Sequence, residues 1–345
     1  MSRLLTDINA IAFSWEVDTL EIGTTTSGEV SVLVDLLCGE RSIISTTLSF
    51  DSDGTVSLED LASLLESYCD DAPKDCVLKL GGRTAATWVL IPCRVETSDS
   101  AAVWCEKSFL TVVRGERLTH LQSREYLSWW QSSDTDSVLE VSAVWSTGSG
   151  LLNENRTMTV SSRSGINTHS WNVSEWTPPA SGAVLVQYRV TLGDRIQRYR
   201  LQEAEQPPAV LCFINSFGVH ESMTFFGSVE RDIKPTRSSA VIGGKTRNYD
   251  VESVPTWKAG TGELPEGMSG LMDDVVRSRK AWLVDAVMGD VEVALTDNEW
   301  KRTNSIVESM SGSVTWRLAS RRQLRARTGA GAGRIFDETF DETFN

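Results

Sequence analysis

Short runs in which apolar and polar residues alternate, broken by Gly, Asp and Ser, recur along most of this chain, and they predict strands. In the first hundred residues the runs are IAFSWEV, EVSVLVDLL, SIISTTLSF, CVLKL and TWVLIPCRV. One segment there changes period: LEDLASLLESYC, about 58–69, sets Leu58, Leu61, Leu65 and Tyr68 on one stripe and predicts a helix. A second block, 99–205, reads AAVWCEKSFLTVV, SVLEVSAVW, RTMTVSS and GAVLVQYRVTLGDRIQRYRLQE, with LGDR as a hairpin turn. Short strands at that spacing predict a β-sandwich of immunoglobulin-like or fibronectin-like type.

Consecutive prolines in EQPPAVLCFI stiffen a connector and mark a boundary. Beyond it, 207–320 predicts an α+β unit. It opens on two strands around a polar turn, AVLCFINSFGVHESMTFFGSV. A helix over about 271–285 follows, with Leu271, Val275, Ser278 and Trp282 at helical spacing, and then the strands VEVALT and GSVTWRLA. The last stretch, 321–345, is a Gly/Ala linker followed by RIFDETFDETFN. Ile335 precedes Phe336, Phe340 and Phe344, which recur every fourth residue. A segment this short forms no core alone, so these side chains are expected to fold back or to plug into a neighbour. The expectation is a mainly β, multidomain protein with minor α: 1–98 β-rich with one helix, 99–205 sandwich-like, 207–320 α+β, and 321–345 an extended arm.

Composition sharpens this picture. At 345 residues, two or three domains are expected, and 40% apolar content with twelve Trp gives them cores. The formal charge of −14 argues against general nucleic-acid binding. It is unevenly spread. Residues 1–99 hold 17 acids against 6 basic residues, whereas Arg317–Arg334 holds six Arg and no acid. No apolar run reaches the length of a membrane span, and the N-terminus lacks a signal-peptide core, so the chain is expected to remain in a cytoplasm or leave by an unusual route. The six Cys form no CxxC pair and are expected to be reduced, mostly buried thiols.

Candidate chemistry is sparse. SFDSDGTVSLED (49–60) has the rhythm of a calcium loop, yet Ser49 stands first and the short Asp60 last, and no helix enters. It is expected to be a strand, a turn and a helix capped by Ser57, with Asp60 at the third helical position. IGGKT (242–246) resembles the end of a phosphate loop, but Ser239 replaces the required glycine. His120, His169 and His220 have no metal-ligand spacing, and no GxSxG elbow supports a triad. The expectations are no catalytic residues, no cofactor and no metal. Trp129 and Trp130 form the candidate ligand platform: neighbours on a strand face opposite ways, leaving one exposed for a host surface glycan, unless both are buried at a domain junction.

Several strings together carry a resemblance. LCFINSFGVHESMTFFGSVERDIKPTRSSAVIGGKTRNYDVES, MDDVVRSRKAWLV, VEVALTDNEWKR and RIFDETFDETFN resemble a poorly characterised family of structural proteins encoded by tailed phages and prophages of gut bacteria. The resemblance covers 207–345 most specifically, and 1–205 in general layout. It implies a non-enzymatic virion component, tail or baseplate associated, assembled in the host cytoplasm. Its expected partners are copies of itself and other virion proteins.

Overall fold

The computed structural model describes residues 2–24, 30–50, 54–69, 72–95, 97–204, 206–285, 289–302 and 310–319. Five sheets carry the chain, and among the described residues three short α-helices accompany them. The architecture is mainly β and built from several sheets, as the alternation predicts. The C-terminal segment with Ile335, Phe336, Phe340 and Phe344 lies outside the described residues.

The first unit pairs a three-stranded sheet (Ser2–Leu4, Leu20–Thr24, Thr55–Leu58) with a five-stranded one. In the latter, Ile11–Phe13 runs parallel to Arg83–Ile91, which continues antiparallel through Lys74–Leu80 and Val30–Cys38 to Arg41–Phe50. Val32, Val34, Leu36, Leu78, Trp88 and Leu90 alternate inward and meet Leu61 and Leu65 of the helix. All six Cys are buried and unbridged.

The helix runs Leu61–Tyr68, shorter than the expected 58–69, and its cap differs too. Ser57 lies in the strand Thr55–Leu58, so the stretch after the turn is a strand and only then a helix. Asp60 takes the N-cap position in left-handed backbone (φ 60) with no side-chain cap. The orphan amides are met from elsewhere: Leu61 N donates to the Asp18 carbonyl (3.0 Å), and Ala62 N donates to Asp18 Oδ1 (2.9 Å). Asp51 and Asp53 of the calcium-like rhythm lie outside the described residues.

The second unit is a five-stranded sheet in the order Gly150–Val160, Ser137–Thr147, Val184–Leu192, Arg195–Leu201, Glu116–Thr119, facing the pair Arg124–Gln131 and Gly165–Asn172. The LGDR turn joins Val184–Leu192 to Arg195–Leu201, with Gly193 at φ 58. Glu116–Thr119 joins last in space and pairs parallel to Arg195–Leu201. The core holds Trp129, Trp145, Trp171, Tyr188 and Tyr199.

The third unit is one seven-stranded sheet: His220–Phe225, Ala209–Ile214, Ala281–Asp285, Gly289–Trp300, Gly312–Leu318, Lys245–Gly260, Val229–Ile242. Its helix is Ser269–Arg277, not the expected 271–285. Ser278 N closes onto the Val275 carbonyl, and Ala281–Asp285 then enters the sheet beside Ala209–Ile214. The ladder between Lys245–Gly260 and Gly312–Leu318 covers only Trp257–Gly260. Pro255, two residues outward of the last pair, has no N–H to give a further rung, and among the described residues the hairpin has no other sheet partner beyond that point. Outward of that point it is a two-stranded arm, about 30 Å long for ten residues at ~3.3 Å each. Its tip is the IGGK stretch: Gly243 (φ 60) and Gly244 (φ 75) make a two-residue turn that needs positive φ twice.

The segment 101–113 is also not a strand. Ala101–Lys107 is a helix capped by Ser100 Oγ, which accepts from Val103 N, and by Glu16 Oε2, which accepts from Ala101 N (2.7 Å). It sits in a fourth core shared by all three units: Ile11, Phe13 and Ile91 from the first, Phe217 and Val219 from the third, with Trp130 of the second against them. Rings of Phe13, Trp104 and Phe217 meet with centroids 5.3–6.5 Å apart.

Candidate functional site

Trp129 and Trp130 face opposite ways, as strand geometry requires, but both directions lead into protein. Trp129 is 0% exposed, in the sandwich core, and its Nε1 donates to Ser137 Oγ (3.2 Å). Trp130 is half-buried against the shared core, and its carbonyl accepts from Arg195 Nη2. Trp129 therefore offers no ring face to a ligand: it packs inside the second unit, while Trp130 packs against the core shared between units. The three histidines remain apart, on separate elements or loops. Among the described residues no group of His, Cys, Asp and Glu could hold a metal, and no helix is long and apolar enough to cross a membrane.

The structure instead gathers charge at the seam between the second and third units. Glu116–Thr119 turns Arg117 inward, Arg124–Gln131 brings Glu125, and His220–Phe225 brings Glu221; each is at most 2% exposed. Arg117 Nη1 donates to Glu125 Oε2 (3.3 Å), and Nη2 donates to Glu221 Oε1 and to Thr111 Oγ1 (3.2 Å). The remaining carboxylate lone pairs are taken by Thr119 Oγ1 (2.6 Å), Ser222 Oγ (3.1 Å) and Asn215 Nδ2 (2.6 Å). The guanidinium lies 5.7 Å over the Tyr199 ring, which stacks on Tyr188. Burial alone pushes the Arg117 pKa down, but Glu221, Tyr199 and Glu125 outweigh it and hold the guanidinium above its ordinary value. Burial pushes the Glu125 carboxyl up, with Arg117 and the hydroxyls opposing. Enclosed on every side, this group holds two units in register and meets no solvent.

A cleft of about 710 Å³ opens beside the helix Ser269–Arg277, lined by Arg94, Trp104, Arg114, Arg277, Arg302, Glu266, Asp273 and Asp274. The helix Ser269–Arg277 begins in its wall. A Cβ on Gly267 would overlap the Arg114 carbonyl oxygen, so only glycine allows Arg114 N to donate to the Gly267 carbonyl (3.0 Å). Two of the acids here are engaged: Asp273 accepts from Trp300 Nε1 (2.6 Å) and Arg302 Nη1 (3.2 Å), and Asp274 accepts from the Ser216 amide (3.1 Å) and hydroxyl. Burial pushes the Asp274 carboxyl from 3.8 up to about 7, the Ser216 bonds opposing. What the arrangement does is pin the 215–219 turn to the helix.

A carboxyl that stays protonated to about pH 7 when folded but only to about 4 when unfolded binds more protons folded in between. Its contribution to stability is complete below pH ~4 and is lost as pH rises toward 7. Asp274→Asn removes the titration and keeps both Ser216 contacts, its Oδ1 accepting from the Ser216 amide and its Nδ2 donating to the Ser216 hydroxyl. Relative to this variant, the natural chain should lose on the order of 2–4 kcal/mol between pH 4.5 and 7 by urea unfolding. Parallel pH profiles of the two would refute the assignment.

None of these clusters was visible in the chain order. Arg117, Glu125 and Glu221 look like ordinary surface charges, and the only hint is that each sits in an otherwise apolar or alternating strand.

No family model matches the chain, and no curated protein does. Among solved structures it is similar, at 8% identity, to a protein of the virion of a native gene transfer agent particle, over 34% of this chain and 95% of that one, with a TM-score of 0.24. A protein from the tail of an empty particle of that kind, with C6 symmetry, gives 8%, 34% and 96%, and 0.25. CBD12 from CALX1.2 gives 10% identity over 51% and 72%, with 0.17. At TM-scores this low, none of these likenesses defines a shared fold.

Proposed function

We propose that the chain is a non-enzymatic structural subunit of a phage or phage-like tail, working by self-association and by docking other virion proteins. The observation that carries the reading is the hairpin arm, Val229–Ile242 with Lys245–Gly260, which among the described residues runs on past its last sheet pair at Trp257, beside a body locked by shared cores. A two-stranded ribbon alone in water is marginal, and such an element is stabilised when a neighbour packs on it. Arg117, Glu125, Glu221 and Asp274 fit the same picture, since each is buried and hydrogen-bonded where units meet. The sequence resemblance over 207–345 points to the virion and to the tail or baseplate.

The terminal Phe repeat supplies a second contact in this reading. Burying three Phe on a neighbour contributes about 1.5–3 kcal/mol per fully buried side chain, offset in part by ordering the segment. Removing residues 334–345 should weaken assembly at least tenfold, read by light scattering across a concentration series, while thermal unfolding of the body stays unchanged. A truncated chain that assembles like the full one would refute the role of this segment.

A further inference from the structure

Outward of Pro255 the arm, residues 233–255, sets Asp250 and Glu252 against four basic residues, Lys234, Arg237, Lys245 and Arg247, and its end, 239–248, holds Lys245 and Arg247 and no acid. All four basic residues are exposed. Lys234 pairs with Asp232 at the base of the arm (2.9 Å), and among the described residues no ion pair is found for the other three. This basic tip belongs to a chain of net charge −14. Much of the negative charge belongs to the first unit, where 17 acids and 6 basic residues fall within 1–99. On the three-stranded sheet of that unit the acids form a corner. Leu5 N donates to the Glu21 carbonyl and Glu21 N to Thr6 Oγ1, which sets Asp7 beside Glu21. Leu20 pairs with Leu58, which sets Glu59 and Asp60 at the next positions. Asp7, Glu21, Glu59 and Asp60 are all exposed.

We infer that the basic arm of one copy docks on this acidic corner of a second copy, giving a head-to-tail contact. The inference rests on the self-assembly reading and names its two surfaces. Strand addition is not the mode, because Lys234, Pro235 and Arg237 on the outer strand guard that edge against pairing. The contact goes through side chains of opposite sign, which set orientation and encounter rate. Because the two surfaces differ, each copy offers one of each, so the contact propagates until it closes into a ring or extends as a filament.

The test uses the full chain and measures its association constant by sedimentation at low salt and at 0.5 M NaCl, where exposed charges are screened. Association should fall at least tenfold with salt. The triple variant Arg237→Glu, Lys245→Glu, Arg247→Glu should lose association to the same extent, with an unchanged melting temperature. Glu21→Lys with Glu59→Lys should lose it too, and mixing the two variants should restore it as a heterologous complex. Salt-dependent association that survives arm reversal overturns this contact and leaves self-assembly standing. A natural chain that is monomeric at every salt and concentration overturns both.

Discussion

Replacing Arg117 by Met should destabilise the protein by about 3–5 kcal/mol, because it strands two buried carboxylates that one guanidinium now bridges. Methionine matches the volume, so the loss reports charge and hydrogen bonding rather than a cavity. The variant should also acquire a new pH dependence. Without the cation, burial raises the folded-state pKa of Glu125 with no opposition from Arg117. The cost of its ionised form is then absent in acid, where folded and unfolded states are both protonated, and grows as pH rises through the unfolded-state carboxylate range. Urea unfolding at pH 5 and pH 7 should therefore show the defect widening with pH. Adding Glu221→Gln should recover part of it. A loss under about 1 kcal/mol at pH 7 would show that the seam is held by its apolar contacts alone.

Trp129→Ala should cost about 3–5 kcal/mol, since it removes one of the three tryptophans of the sandwich core and leaves Ser137 without its indole donor. The contrast with a ligand platform is sharp. An exposed stacking tryptophan can be truncated with little change in stability and a specific loss of glycan binding. A buried one takes the fold with it. Chemical denaturation followed by near-ultraviolet circular dichroism separates these outcomes, and an unchanged unfolding midpoint would return Trp129 to the surface.

Legibility in the sequence followed locality. Val184–Leu192 and Arg195–Leu201 were readable because alternation and the Gly193 turn lie within twenty residues. Leu271, Val275 and Trp282 keep helical spacing past the true end at Arg277, because AWLVD is a continuous apolar run, and such a run has no period of its own. The same ambiguity hid the helix Ala101–Lys107 inside AAVWCEK. The cap of Leu61–Tyr68 comes from Asp18, far up the chain, so a capping rule applied to neighbours chose Ser57 instead. For the site, the opposed facing of Trp129 and Trp130 followed from strand geometry. What each faced depended on a second unit, and no local rule carries that. The Arg117 seam joins residues from three strands and two units, and it exists only once they have met.

The parallel pairing of Glu116–Thr119 with Arg195–Leu201 bears on how this protein is made. The strand emerges from the ribosome about 80 residues before the strand it pairs with, a wait of roughly 4–16 s at ~5–20 residues per second. Arg117 rides on that waiting strand, so the middle unit cannot close its sheet until nearly all of it has been synthesised. Non-local closure of this kind is slow, and nascent chains halted before Arg195 should be captured by chaperones that chains halted after Leu201 escape.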